Sequence, residues 1–321
     1  MQNNKLKILG HIIPNGKGVQ LNLDIAKLHT QTKIQVPVIV ERGKKEGPVL
    51  LMTAGIHGNE INGIEIVRQL ISKKYNKPEF GTVICIPVVN VFGFLNQKRQ
   101  FPDGRDLNRV FPGSPRGSLA SRFAYHIIKE IAPSVDYCID FHTGGDGRFN
   151  IPQVRINEGD KEGLELAKVF QPQFIIETGH RDKSFRESLH KLNKKALLFE
   201  GGKSLHINKK VTQVGVAGTM RVMQHLGIRN FEEELKLMKN KMITSKIINK
   251  SAWVRAKYSG MFHPIVRLGS KVNIGDVLGS ISDPFGSFEK NIKAVFSGYV
   301  ICVNHSPIVN QGDGILHISK D

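Results

Sequence analysis

Apolar residues fall along this chain in two rhythms. Short continuous runs at 48–56, 82–89, 136–141, 174–177 and 195–200, bounded by polar and glycine-containing segments, read as buried strands. Over 59–74, 118–131 and 161–170 the apolar positions recur instead at helical spacing. The first of these stretches carries Ile61, Ile64, Val67, Leu70 and Ile71 on one face. Runs that alternate with helical patterns predict an α/β fold, a mixed and largely parallel sheet with helices on both faces. A charged helical stretch over 231–239 then leads to a segment of different character. From Ser251 onward, short β-prone runs alternate with turns such as Asn273-Ile274-Gly275-Asp276 and Gln311-Gly312-Asp313-Gly314, which predicts a small C-terminal all-β domain. The expected division is 1–245 and 246–321, and 321 residues suffice for a large core and a smaller appended one.

Chemistry enters where the predicted strands end. His57-Gly58-Asn59-Glu60 follows the run 48–56, and His142 follows the run 136–141, so two distant segments present ligand-type side chains just past the carboxyl edge of a sheet. Two histidines and one carboxylate match the ligand count of a catalytic zinc site, whereas structural sites close with four protein ligands. The plainer reading of the first segment is a capped helix start, with Asn59 or Glu60 satisfying free backbone donors and His57 at the surface.

The stretch Arg99 to Gly113 holds three arginines, Asn108, two prolines and two glycines, the composition of a positioned loop. An arginine fork matches a carboxylate or a developing oxyanion, so the loop suits an anionic substrate; for Arg105 a solvated basic turn explains the residue equally well. A general base is also required. Glu200, at the end of the run 195–200, has the right placement to take a proton from water and pass it to a leaving amine. Glu177 in Phe174-Ile175-Ile176-Glu177 has a similar local pattern, and pattern alone does not separate the two.

The HGNE segment at 57–60, PDGRDLNRVFPG at 102–113, DFHTG at 140–144 and FEGG at 199–202 resemble, in order, the motifs of the succinylglutamate desuccinylase/aspartoacylase family, across most of the chain. The resemblance implies a zinc carboxypeptidase-like fold, one zinc per chain on His57, Glu60 and His142, and Glu200 as catalytic acid/base. Arg99 falls where the family arginine polarises the scissile carbonyl, and Arg105 stands open for the same role because the intervening length varies among relatives. Asn108 and Arg109 match the pair that binds a substrate carboxylate, and Arg155 resembles a pocket arginine of some members. The C-terminal segment resembles the family's β appendage that closes over the active site; an oligomerisation or packing domain is the alternative, so a homo-oligomer stays open.

Charge and composition narrow the remaining classes. With 46 Lys and Arg against 28 Asp and Glu, the formal charge is +18, which requires nucleic acid to be considered. The cations are scattered, with no zinc finger, aromatic RNA-binding strip or basic helix to organise them, so no specific nucleic-acid partner is expected; attraction of a small anionic N-acyl substrate explains the charge as well. The three cysteines form no CxxC unit, and Cys85 and Cys138, within buried-strand patterns, read as core residues in a reducing compartment. Residues 1–7 have no apolar signal core and no run approaches spanning length, so the expectation is a cytoplasmic protein without membrane contact. Gly201-Gly202-Lys203-Ser204 lacks the leading glycine of a phosphate loop, and neither GxSxG nor HExxH occurs. The function that the family resemblance implies is zinc-dependent hydrolysis of the amide bond in a small N-acyl amino acid or similar acidic amide. The alternatives are a metallocarboxypeptidase, favoured by an open groove, and a non-catalytic binding protein on the same fold.

Overall fold

The computed structural model describes residues 6–27, 29–238 and 243–321. Four parallel strands form its centre, in the order Lys195–Lys203, Tyr137–Gly144, Lys45–Ala54 and Phe80–Ile86. Antiparallel strands extend both sides. Arg148–Ile156 pairs with Lys195–Lys203; Lys33–Arg42 pairs with Phe80–Ile86 and in turn with Gly18–Lys27. The sheet is mixed, as the pattern of runs and helices predicts.

The continuous apolar runs have a direct cause. Successive strand residues point to opposite faces, and here both faces are covered, so neighbours in sequence enter different cores. Leu50 and Met52 pack beneath helices Ile61–Ser72, Lys161–Phe170 and Lys209–His225, with Ile139, Phe141 and Phe199. Leu51 between them packs on the other side, with Ile84, Phe101 and Phe123 of helix Leu119–Glu130. Burying a leucine fully contributes about 1.5–3 kcal/mol, so neither face is optional.

Three predicted helices, over 59–74, 118–131 and 161–170, form as Ile61–Ser72, Leu119–Glu130 and Lys161–Phe170. Of the charged stretch, Glu232–Leu237 is helical, and Lys239 at its predicted end lies outside the described residues, as do residues 1–5. The pattern did not predict helix Lys209–His225. Its inward face mixes Val211, Val216, Met220 and Met223 with Gly215, against Ile66, and Gly218, against Phe170, where an added Cβ would crowd its neighbour, so glycines interrupt the apolar stripe. The hairpin of Gly18–Lys27 with Lys33–Arg42 was also not predicted, because it is covered on one side and shows only alternation, with Val36, Val38 and Val40 buried.

The C-terminal segment is all β, but only four of its strands form a sheet apart; others join the main sheet. Gly298–Asn304 pairs with Arg148–Ile156, placing Cys302 opposite Asn150, and Gly314–Ser319 and Ser251–Arg255 follow in the same large sheet. Lys246–Ile248 adds to Phe174–Glu177. A separate four-stranded sheet of Gly260–Pro264, Val277–Ser282, Glu289–Lys293 and Ile308–Val309 closes a core around Phe262, Leu278 and Ile281. The segment from Ser251 to Asp321 is thus joined to the main body by backbone hydrogen bonds.

Candidate active site

The strand Lys45–Ala54 runs into Gly55, at φ 65°, and a tight turn that presents His57 and Glu60. Gly58 has a steric reason, since a Cβ there would overlap the backbone of Gly93 and Phe94. Glu60 occupies the cap position of helix Ile61–Ser72, yet its carboxylate makes no cap bond. Its Oε1 lies 2.7 Å from His57 Nδ1 and its Oε2 lies 2.9 Å from His142 Nδ1. The plainer capped-helix reading therefore does not describe this side chain.

All three residues are buried, and their candidate ligand atoms lie within 4.8 Å of one another. The far nitrogens are also engaged: His57 Nε2 is 3.1 Å from Asp106 Oδ1, and His142 Nε2 is 2.8 Å from Asp140 Oδ2. Asp140 Oδ1 accepts from the Thr53 hydroxyl at 2.7 Å. Carboxylates at Nε2 favour the tautomer that leaves Nδ1 as a lone-pair donor, the outer arrangement of histidine metal sites. Burial works against charge on Glu60, but His57 and His142 hold it well below the usual carboxylate range. Burial likewise opposes charge on His142, but Asp140 and Glu60 raise it well above the usual histidine range. A cation shared by the two Nδ1 atoms and Glu60 would meet the same demand. The donor set fits zinc, which takes imidazole nitrogen and carboxylate oxygen.

The loop after Arg99 folds back over this cluster. Arg99 Nη1 donates to Glu60 Oε1 at 3.1 Å, while its Nε and Nη2 donate to Asp106 Oδ2 at 3.2 and 2.9 Å. Asp106 also accepts from the Asn108 backbone N–H at 2.8 Å, capping the short helix Leu107–Arg109. Asn108 Oδ1 accepts from the Phe185 N–H at 2.8 Å, and Arg109 donates to the Asn108 carbonyl at 2.6 Å. Arg105 is not brought in: it is exposed, 3.4 Å from Asp103, and borders a separate surface groove.

A cavity of about 670 Å³ opens over these groups and is lined by His57, Glu60, Arg99, Asn108, Arg109, His142, Arg155 and Glu200 among others. Glu200 Oε2 accepts from Asn150 Nδ2 at 2.8 Å. Glu177 does not line the cavity, although Thr178 and Gly179 beyond it do. The wall is strongly cationic, with Arg148, Arg181 and Arg186 joining Arg99, Arg109 and Arg155. Arg186 is buried; burial and then Arg155 lower its pKa to about 10. The C-terminal segment contributes Trp253 and Cys302 to the lining. Trp253 stacks on His317 with centroids 4.8 Å apart, and the Arg148 guanidinium lies 5.5 Å from its ring.

Reading the sequence missed Asp106, Asp140, Asn150, Arg148, Arg181, Arg186 and Trp253 as site residues. A signal existed for Asp140, since a residue two before His142 in a strand shares its face. Arg186 carried none, because its helix, Phe185–Lys191, reaches the cavity from a segment with no local motif.

Residues 46–226 match the profile described as the succinylglutamate desuccinylase/aspartoacylase catalytic domain. N-alpha-acetyl-L-2,4-diaminobutyric acid deacetylase of Halomonas elongata is 29% identical over 301 residues, covering 89% of this chain and 86% of that protein. Among solved structures, a succinylglutamate desuccinylase/aspartoacylase from Rhodobacter sphaeroides superposes with a TM-score of 0.80 at 23% identity, covering 94% of this chain and 96% of its own. The product-bound ectoine utilization protein from Ruegeria pomeroyi gives 0.83 at 21% identity, with 100% of both chains covered. These two show a shared fold.

Proposed function

Because the chain belongs to the succinylglutamate desuccinylase/aspartoacylase family, we propose that it is a zinc-dependent hydrolase that cleaves the amide bond of a small N-acyl amino acid carrying a free carboxylate. The observation that carries this reading is the convergence of His57, Glu60 and His142 in one cationic cavity with Glu200 in its lining. His57, Glu60 and His142 would hold the ion. When bound, zinc supplies Lewis acidity, polarising the scissile carbonyl and making water a better nucleophile.

The remaining steps belong to side chains. Glu200 takes the proton of the attacking water and returns it to the leaving nitrogen, the two halves of general acid–base catalysis. Arg99, fixed by Glu60 and Asp106 and partly exposed to the cavity, stabilises the oxyanion; its bonds on two sides pre-set its orientation. Asn108 and Arg109 hold the substrate carboxylate, with Arg155 also in the lining. Arg105, exposed and paired with Asp103, is the weaker candidate for the carbonyl.

We assign residues 1–245 to the hydrolase domain and 246–321 to a cap. Trp253 and Cys302 in the cavity wall support a cap that narrows access, and this disfavours a metallocarboxypeptidase, which must admit a peptide. A cytoplasmic location accords with three free, buried cysteines, and no helix among the described residues is long and apolar enough to cross a membrane. The test is a hydrolysis panel of N-acetyl and N-succinyl amino acids and peptides with the zinc-loaded protein. Turnover confined to N-acyl amino acids is expected. Release of C-terminal residues from peptides would restore the carboxypeptidase reading, and no turnover of any member would favour a binding protein.

A further inference from the structure

Glu200 sits on the strand Lys195–Lys203 just before a register irregularity between Glu200 and Gly202, where the backbone turns to φ 79°. A long carboxylate beside such a break is not oriented by its backbone alone. Among the described residues its carboxylate accepts one side-chain hydrogen bond, the 2.8 Å contact from Asn150 Nδ2.

Asn150 is itself held on both sides. Its strand, Arg148–Ile156, pairs it with Gly202 of the Glu200 strand and with Cys302 of Gly298–Asn304, and it is 6% exposed. A buried amide without a partner would be costly, so the Asn150–Glu200 bond is self-supporting.

We propose that Asn150 is the positioning residue for Glu200, anchored through the C-terminal strand, and that it fixes one carboxylate oxygen while the other exchanges the proton. This rests on the assignment of Glu200 as acid/base. The chemistry of the partner matters. An amide N–H can donate to Oε2 when Glu200 is ionised and also when the proton sits on Oε1, so the bond survives both halves of the reaction. A lysine or arginine at the same place would favour the ionised form and resist the protonated one. Arg99 is hydrogen-bonded to Glu60 and Asp106, and among the described residues the side chain hydrogen-bonded to Glu200 is the neutral Asn150 amide, while Arg99 and Arg186 act on Glu200 through space.

The experiment compares Asn150→Asp, which keeps the shape but removes the donor, and Asn150→Leu, which replaces the amide by an apolar group, with Glu200→Gln. The substrate is the N-acetyl amino acid turned over best by the wild type. Readouts are kcat, KM, zinc content and melting temperature. Both Asn150 variants are expected to lose about 10- to 100-fold in kcat, part of the 10²–10⁴-fold typical of general acid–base catalysis, with KM changed less than about threefold. Zinc content should match the wild type in both variants, and Asn150→Leu, which buries no new charge, should keep its melting temperature. Wild-type kcat in both Asn150 variants while Glu200→Gln is inactive would overturn the positioning role alone. A kcat loss that parallels loss of zinc, or of melting temperature in Asn150→Leu, would also overturn it, in favour of a structural role. Wild-type turnover in Glu200→Gln would remove the acid/base assignment and this proposal with it.

Discussion

His142 and Glu200 stand opposite each other on adjacent parallel strands, in the same register that pairs Phe199 with Phe141 one step earlier. Register partners project to the same face of a sheet, so a candidate metal ligand and a candidate proton carrier reach one cavity from neighbouring backbones. Nothing in the 57 residues of chain between them hints at this adjacency.

The first expectation concerns the ion. Purified wild-type protein should hold about one zinc per chain, and His142→Ala should lose most of it. Asp140→Asn should keep the fold but weaken zinc about 10- to 100-fold, the usual cost of losing an orienting carboxylate. Metal analysis and chelator competition measure both. Equal zinc in wild type and His142→Ala would remove His142 from the site.

Glu200→Gln should keep the metal and lose about 10²-fold or more in kcat, because the amide cannot accept the proton while the shape is nearly unchanged. Glu177→Gln should leave kcat almost untouched, since Glu177 lies outside the cavity lining. Steady-state kinetics of both variants in one assay decides the matter; the reverse pattern sinks the assignment.

Arg109→Ala should act through the substrate carboxylate. A loss on the order of 1.5–3 kcal/mol in kcat/KM is expected for the free acid, the range for hydrogen bonds to charged groups. The esterified or amidated substrate should be poor for the wild type and indifferent to the substitution. An equal penalty on free and blocked substrates would mean that Arg109 serves the loop, through its bond to the Asn108 carbonyl, instead of the ligand.

Asp103 offers a test of stability against pH. Burial raises its pKa, but backbone N–H bonds from Ala120 and Arg105 outweigh this and leave it below the usual aspartate range. A carboxylate whose pKa is depressed by folding stabilises the protein above its unfolded pKa, and the gain is lost as pH falls through the folded one. Asp103→Ala should therefore cost about 1 kcal/mol near neutral pH, the scale of a helix-start bond. The gap in melting temperature should narrow as pH falls from about pH 5 through the folded pKa. A constant gap across that range would show that packing, not ionisation, sets the effect.

What the sequence determined by itself is local. A strand buried on both faces must be continuously apolar, a helix against a sheet must be apolar at its own period, and a residue at a strand end is exposed to whatever the sheet edge assembles. Leu50-Leu51-Met52, the stripe Ile61 to Ile71, and His57, Glu60 and His142 were legible on those grounds, while local pattern left Glu200 level with Glu177 and the ordered motifs chose between them. The tertiary structure decided which strand ends are neighbours. It set Glu200 beside His142, kept Glu177 out of the cavity lining and Arg105 at the surface, and turned Arg99 onto Glu60 and Asp106. It also brought Arg186, Asn150 and Trp253 into one wall from segments far apart in the chain, and it paired the C-terminal strands to the main sheet through Cys302 and Asn150. Backbone pairing between distant strands depends on register and on the covering of both faces at once. Neither is encoded in any one short segment, so the neighbours of a catalytic side chain emerge only when the whole sheet has closed.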